Sequence, residues 1–416
     1  MGLLLLDLDH FKQINDALGH DTGDKLLQLF ARRLESAVRG GDTVARFGGD
    51  EFAIILPRLR EPDLAAVCAS IHGGLKQPFV HGGLMLDCRT SIGAAVYPTH
   101  GADPDELLKN ADMALYAAKH AGRANTKLFE PRLREEGDRR AGMVALARAA
   151  IHDDRILTYY QPKLDLRRGM VIGFEALLRW RDEDGGIQYP ASLDAAFEDH
   201  DVAAEISDRV IGQAIRDMRG WLDSGIAFGH VAVNASVAEF RRDNFAERVL
   251  EALSGADIPP RYFQLEVTEK VFLGRGAEYV ERALNRLSAA GVRIALDDFG
   301  TGYASLRHLK QFPVDIIKID RSFVRGMDSD PGDEAIIRAV ISLGRSLGIR
   351  IVAEGIERMG QAERLIAFGC DYGQGFLFSR AVPGASVPSL VARLPEQAPT
   401  LEPGADDRPA AAGGEA

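Results

Sequence analysis

Cysteine is scarce in this chain: Cys68, Cys88 and Cys370 are three in 416 residues, an odd number without metal-ligand spacing. That excludes a disulfide framework and a cysteine-held metal, and the three read as reduced thiols. Long apolar runs are also missing, so no segment reaches the length of a membrane span. Leu3–Leu6 is too short for a secretory core, lacks a basic flank and runs straight into Asp7-Leu8-Asp9. Gly2 is not followed by the Ser or Thr at position 6 that N-myristoylation needs, because that residue is Leu6. Positive charge is in deficit, with a formal net charge of −11, which argues against a nucleic-acid polymer as partner. An anionic small substrate stays compatible where metal ions and placed cations reverse the sign locally. No internal repeat is present. These absences together give a cytoplasmic location as the expectation.

What is present suffices for two packed cores: 46% of residues are hydrophobic and 27% charged over a length that suits two domains. Residues 1–130 alternate strand-like and helix-like segments. Leu3–Leu8 reads as a buried strand, and Thr22–Val38 as a helix with Leu26, Leu27, Phe30 and Leu34 on one face. Thr43–Phe47 and Glu51–Leu56 read as strands joined by the Gly48-Gly49 turn. Leu64–Leu75 reads as a helix, Leu84–Tyr97 as strand material and Asp105–His120 as a last helix. Residues 131–151 read as a connecting helix and 152–390 as a second domain. Residues 391–416, rich in Pro, Ala, Gly and acid from Pro395 onward, read as a disordered tail.

The second domain carries short apolar runs that each end in a carboxylate, an amide or a lysine. They are Val171–Glu175, Val231–Asn234, Phe263–Glu266, Arg293–Asp298, Asp315–Lys318 and Arg350–Glu354. Runs of that kind are buried parallel strands, and in an eight-stranded β/α barrel the C-terminal strand ends form the floor of the site. Carboxylates and an amide converging there suit a hard cation bound through oxygen, so this half reads as a metal-dependent enzyme.

In the first domain, Arg46-Phe47-Gly48-Gly49-Asp50-Glu51-Phe52 sets two acids directly after a glycine turn. Glycines let a backbone approach a phosphate closely, and the acids can hold a divalent ion beside it. Alone, such a hairpin is ordinarily structural. Asp7, ending the first strand, is placed to share a metal with Asp50. Lys119 and Arg123, four apart, are expected on one helix face as a phosphate clamp. The segment resembles the GGDEF family of diguanylate cyclases through Leu6–Asp16, Gly19–Asp24, the hairpin and Ala111–Lys119. The resemblance implies an α+β domain with a central sheet containing antiparallel strands. It implies Asp7 and Asp50 as metal ligands, Glu51 in catalysis, and GTP as partner. Asn15 and Asp24 would contact guanine, and Lys119 and Arg123 the phosphates. Arg39 and Asp42 sit at the spacing of the family's product-inhibition site, although an isolated pair of this kind is usually a surface ion pair. The family has a helix bearing a D-x-L-T-G-L-x-N-R motif before its first strand, and this chain begins at that strand. The expectation is therefore a truncated domain with one sheet face uncovered, at roughly 1.5–3 kcal/mol for each apolar side chain left in water. Ala124, where the family usually has Gly, is a further departure.

The second domain resembles the EAL family of cyclic di-GMP phosphodiesterases over essentially all of 152–385. The matching stretches are Glu175-Ala176-Leu177, Leu178-Arg179-Trp180, Val267-Thr268-Glu269, Asp297–Tyr303, Lys318-Ile319-Asp320, Glu354–Glu357 and Gln374-Gly375-Phe376. Leu193, Asp194 and Asp201 depart from its pattern at positions that bear on helix packing. The resemblance implies a (β/α)8 TIM-like barrel, hydrolysis of cyclic di-GMP to linear pGpG, and two Mg²⁺ or Mn²⁺ ions. Glu175, Asn234, Glu266 and Asp297 are expected around one ion, with Asp297 bridging to a second held also by Asp298 and Glu354. Lys318 would orient the nucleophile, its bland alternative being a structural ion pair. Gln161, Arg179 and Gln374 are the expected substrate contacts. Glu269 would support catalysis by anchoring the Asp298–Leu306 loop, and Glu357 would either stand behind the ligands or serve the structure alone. The first domain is then a GTP-binding regulatory module, and a homodimer through the barrel is a compatible assembly. The alternatives are a bifunctional enzyme that also makes cyclic di-GMP, and a receptor that binds it without turnover.

Overall fold

The structure, a computed structural model, describes residues 1–81, 83–240, 244–272, 277–300, 309 and 311–397. It divides into two compact units, Met1–Gly142 and Met143–Ala416.

In the first unit, β1 (Gly2–Leu8) carries seven residues with almost no polar side chain, and it is buried along both faces. It pairs antiparallel with β3 (Glu51–Leu56) and, past the short β4 (Phe79–His81) and β5 (Leu84–Leu86), with β6 (Thr90–Val96). With β2 (Thr43–Gly48) and β7 (Thr126–Leu128) the sheet order is β2-β3-β1-β6-β7. Side chains alternate across a strand, and the two faces of β1 feed different cores. Leu4, Leu6 and Leu8 pack with Phe30, Leu34 and Ile71. Leu3 and Leu5 pack with Leu107, Ala111 and Leu115 from the helix Pro104–His120. The expected uncovered face is covered over β1, where Leu3 and Leu5 are 9% and 6% exposed, and stays open beside it, where Ile55, paired with Leu3, is 40% exposed. Gly93 makes that cover close, since a Cβ there would lie 2.1 Å from Leu115 N.

A helix spans Pro131–His152, with Ala147, Ala150 and Ile151 buried. In the second unit, eight strands close into a barrel. They are β8 (Ile156–Asp165), β9 (Val171–Arg181), β11 (Val231–Ala235), β12 (Phe263–Thr268), β13 (Arg293–Phe299), β14 (Ile316–Ile319), β15 (Arg350–Ala353) and β16 (Tyr372–Gly373). β9 and β11 to β16 run parallel in that order, and β11 to β16 are short and mostly apolar, as strands buried on both faces are. Val231, Val233, Leu265 and Ile317 point outward into the helical layer and share one continuous core with Trp221, Leu284 and Ile341.

The barrel departs from a uniform β/α repeat at its closure. β8 runs antiparallel to both β9 and β16. Only five residues, Leu166–Met170, join β8 to β9, too few for a crossover helix, so the chain reverses directly. Short additions, β10 (Ile187–Gln188) and β17 (Val382–Pro383), pair with β9 and β8. The last helix runs Val387–Gln397, with Val387, Leu390 and Leu394 buried at helical spacing. Residues 391–397 are thus helical where a tail was expected, and 398–416 lie outside the described residues. No helix among the described residues is long and apolar enough to cross a membrane.

Candidate active site

The inward-facing ends of the barrel strands bring the acids together. Glu175 on β9, Glu266 on β12 and Asp297 on β13 offer carboxylate oxygens that all lie within 4.8 Å of one another. All three are buried, at 6%, 0% and 8% exposure. Charged groups of one sign do not converge in a protein interior unless something compensates them. Here it is Lys318 on β14, itself 1% exposed. Its ammonium lies 2.5 Å from Glu266 Oε2, 2.7 Å from Glu354 Oε1, 3.1 Å from Asp297 Oδ2 and 3.5 Å from Glu175 Oε2. Burial by itself would lower the Lys318 pKa, but Asp297, Glu175, Glu266 and Glu354 together raise it well above its ordinary value. Burial pushes the Glu354 carboxyl upward, against the pull of Lys318.

The amides complete the ring. Asn234 on β11 donates from Nδ2 to Glu175 Oε1 at 2.9 Å, leaving its carbonyl oxygen for another partner. Gln374 donates to Glu175 Oε2 at 2.7 Å and to Gln161 Oε1 at 3.1 Å, and Gln161 donates to the Ser379 carbonyl at 3.1 Å. Gln161, Glu175 and Gln374 thus form one buried hydrogen-bonded chain. Arg179 is half-buried, its guanidinium 4.5 Å from the Tyr189 ring centroid and 5.8 Å from that of Tyr159, while Nη1 donates to the Leu178 carbonyl at 2.7 Å.

Adjacent acids on a strand normally point to opposite faces. At Asp298, which is exposed, that alternation is interrupted: the β13–β14 register shifts between Leu296 and Phe299, and Asp298 takes a left-handed φ of 55°. A bulge of this kind re-aims a side chain, and Asp is among the few residues that tolerate the conformation. The Asp298 pKa is raised by burial first, then by Asp297 and Asp320. Glu269 is buried and accepts the Gly300 N–H at 3.2 Å, at the root of the loop it was expected to anchor. The rest of that loop, from residue 301, lies outside the described residues. Glu357 is exposed, and its backbone N–H donates to Gln361 Oε1 at 2.9 Å.

One residue in the site was missed by the sequence reading. Lys163 on β8 is 1% exposed and donates its ammonium to Glu266 Oε1. A lysine two positions after the inward-facing Gln161 carries the signal, since period two puts both on one face. The donors around the cluster are all oxygen, and its four carboxylates outnumber the two buried ammonium groups. The residues present therefore fit a hard divalent cation.

The first unit places Asp7 and Asp50 together as well: the Asp50 pKa is raised by burial and then by the Asp7 charge. Asp7 sits opposite Glu51 in the β1–β3 register and is paired to Lys119 Nζ at 2.6 Å. Asn15 Oδ1 is buried and has no partner among the described residues, facing Gly23, where a Cβ would lie 1.8 Å away. Asp24 is exposed on the following turn. Asp42 accepts the Arg39 backbone N–H at 2.9 Å, so the two form a tight turn. The shared helix face expected for Lys119 and Arg123 is corrected. The helix ends at His120, Gly122 takes a φ of 99°, and Arg123 follows at a φ of 57° outside the helix. A glycine in the left-handed region terminates a helix, so spacing by four no longer sets the relation.

Comparison with known proteins identifies both domains. Residues 144–381 match the model of the EAL domain, and residues 1–125 that of the diguanylate cyclase GGDEF domain. The chain is 38% identical over 390 residues to the bifunctional diguanylate cyclase/cyclic di-GMP phosphodiesterase MucR of Pseudomonas aeruginosa, covering 94% of this chain and 57% of the relative. It is 36% identical over 387 residues to the cyclic di-GMP phosphodiesterase NbdA of the same organism, covering 93% and 49%. The chain thus spans about half the length of the curated relatives it matches. Among solved structures, the MucR phosphodiesterase in complex with c-di-GMP matches with a TM-score of 0.56 and 39% identity, covering 59% of this chain and 99% of the other. The chain belongs to the EAL domain family, with a GGDEF domain ahead of the EAL barrel.

Proposed function

We propose that the barrel hydrolyses cyclic di-GMP to linear pGpG with divalent metal ions, Mg²⁺ or Mn²⁺. The observation that carries the reading is the buried ring of Glu175, Glu266, Asp297 and Glu354 around Lys318 at the C-terminal strand ends. A receptor that only binds the nucleotide has no need of so costly a set of converging charges. Glu175, Asn234, Glu266 and Asp297 would hold one ion, and Asp297, Asp298 and Glu354 a second. When bound, such ions supply an acidified water and neutralise charge on the phosphodiester.

The chain's own groups have distinct tasks in this reading. Lys318, held by its four carboxylate partners, offers its charge to the anionic oxygens of the reacting centre. Gln374 and Gln161 orient Glu175 and present amide groups toward the nucleotide. Arg179, fixed by its two tyrosines, supplies paired donors to a phosphate. Glu269 holds Gly300, and through it the turn that carries Asp298.

The first domain is read as a GTP-binding regulatory module that uses Asn15 and Asp24 for guanine and Lys119 and Arg123 for phosphates. Its intact Asp7, Asp50 and Glu51, and the printed bifunctional activity of MucR, favour synthesis of cyclic di-GMP as a second reading. The reading places the chain in the cytoplasm, where GTP is available, and a homodimer through the barrel is compatible with it. The test is turnover of GTP and of cyclic di-GMP, each supplied separately with Mg²⁺ to purified protein. Formation of pGpG that Glu175→Ala abolishes supports the reading, and its absence from the parent protein rejects it.

A further inference from the structure

Glu266 is the most enclosed acid of the cluster, and its two oxygens are not equivalent. Oε2 faces the other acids and takes Lys318 at 2.5 Å. Oε1 faces away and accepts two donors, Lys163 Nζ and Gln264 Nε2, the latter at 2.9 Å. Gln264 is two residues before Glu266 on β12, hence on the same inward face, and is 0% exposed. Lys163 arrives from the opposite side of the barrel closure, on the antiparallel β8.

The two ammonium groups differ in kind. Lys318 is shared among four carboxylates, whereas Glu266 is the single carboxylate paired with Lys163 among the described residues. Lys163 also lies deeper. Its charge is felt by His230, a buried residue at the foot of β11 whose pKa is pushed down to about 3 by burial first and Lys163 next. A cation entering the cluster can take the place of Lys318 on Oε2. It cannot reach Oε1, which two buried donors already cover.

We propose that Lys163, with Gln264, is a positioning clamp that restricts Glu266 to one ligating oxygen and withdraws part of its charge. This rests on the metal-dependent reading above. Held in this way, Glu266 cannot turn to chelate an ion through both oxygens, so a coordination position stays open for water or phosphate. Removing the clamp gives Glu266 a second free oxygen and more negative charge. A metal alone then binds more tightly, while turnover falls because the ion is over-held.

The test uses the whole chain, with MnCl2 alone as titrant in calorimetry and steady-state kinetics on cyclic di-GMP measured in parallel. Lys163→Met is expected to bind Mn²⁺ several-fold more tightly than the parent and to lose about 10–100-fold in kcat, with KM within about twofold. Gln264→Met keeps the ammonium and loses only the neutral donor. Its expected result is unchanged Mn²⁺ affinity with a several-fold lower kcat. Weaker Mn²⁺ binding by Lys163→Met, or a kcat equal to the parent's, overturns the clamp. Should Lys163→Met not fold, a parental kcat in Gln264→Met overturns it on its own. A parent that binds no Mn²⁺ at all removes the metal reading and the clamp together, which separates the two failures.

Discussion

Replacing Lys318 by methionine keeps the length of the side chain and deletes one charge, at the point where four carboxylates meet. In the parent the ammonium lies within 3.5 Å of all four partners and is almost wholly buried. Breaking a buried ion pair by removing one partner costs about 3–5 kcal/mol, because the remaining charge stays buried without compensation. Lys163 still faces Glu266 in the variant, so the lower part of that range applies to Glu266 itself. Among the described residues, Lys318 is the one cation ion-paired with Glu175, Asp297 and Glu354. At roughly 2–4 °C per kcal/mol for a domain of this size, melting without added metal should fall by about 6–20 °C. A divalent ion that binds the folded form stabilises it by mass action, and in the variant it no longer competes with an ammonium. Added Mg²⁺ or Mn²⁺ should therefore raise the melting temperature more in Lys318→Met than in the parent. Turnover should fall by about 10²–10³-fold, the scale for losing one donor to developing charge. The assay is a thermal melt with and without metal beside a pGpG-release time course. An unchanged melt in the metal-free variant would refute the reasoning, since the acids would then not depend on Lys318 for compensation.

Three further outcomes are expected. Glu269→Ala should lower cyclic di-GMP turnover by about 10–100-fold with the fold intact, because the Gly300 N–H loses its acceptor; parental turnover would make Glu269 a bystander. His230, depressed to about 3 when folded, is neutral in the native state and takes up a proton on unfolding below about 6.5. Its contribution is present above that pH and is lost as pH falls toward 3, so urea unfolding should lose about 2 kcal/mol between pH 6.5 and 5. His230→Gln should flatten that slope, and an identical slope would count against it. GTP should change the barrel's KM for cyclic di-GMP in the parent and not in Asp24→Ala, provided it favours one of two arrangements of the chain. No effect in the parent, with GTP binding confirmed separately, would leave the first domain without a regulatory role.

The parts of this protein that were legible in its sequence are those where burial and chemistry conflict openly. An apolar run ending in Glu175, Glu266 or Asp297 signals a strand that delivers charge to one end of a barrel, and Lys318 inside such a run signals its compensation. The apolar run Leu3–Leu8 likewise signalled a buried strand, although it did not show that the helix Pro104–His120 would cover Leu3 and Leu5. What escaped were features set by tertiary closure. β8 has Pro162 in its middle and no clean alternation, so its antiparallel direction depends on the five-residue turn to β9 and not on its own pattern. Lys163 was missed: its spacing from Gln161 puts it on the inward face, but its partner Glu266 lies a hundred residues later in the chain. Arg123 was placed on a helix by its spacing from Lys119, whereas Gly122 between them ends it. The domain was ended at 390 for a similar reason: the burial of Leu394 in the last helix is tertiary, and it lies just before the composition turns to proline, alanine and glycine.

The central claim is that the carboxylate ring around Lys318 is a metal-dependent phosphodiesterase centre. Its most direct test is the rate of pGpG release from cyclic di-GMP by the purified chain, with Mg²⁺ or Mn²⁺ and after chelation, for the parent and for Asp297→Asn. The account predicts metal-dependent release by the parent, loss on chelation with recovery on re-addition, and no detectable release by the variant. Release that persists under chelation, or an Asp297→Asn protein that turns over at the parental rate, would contradict it.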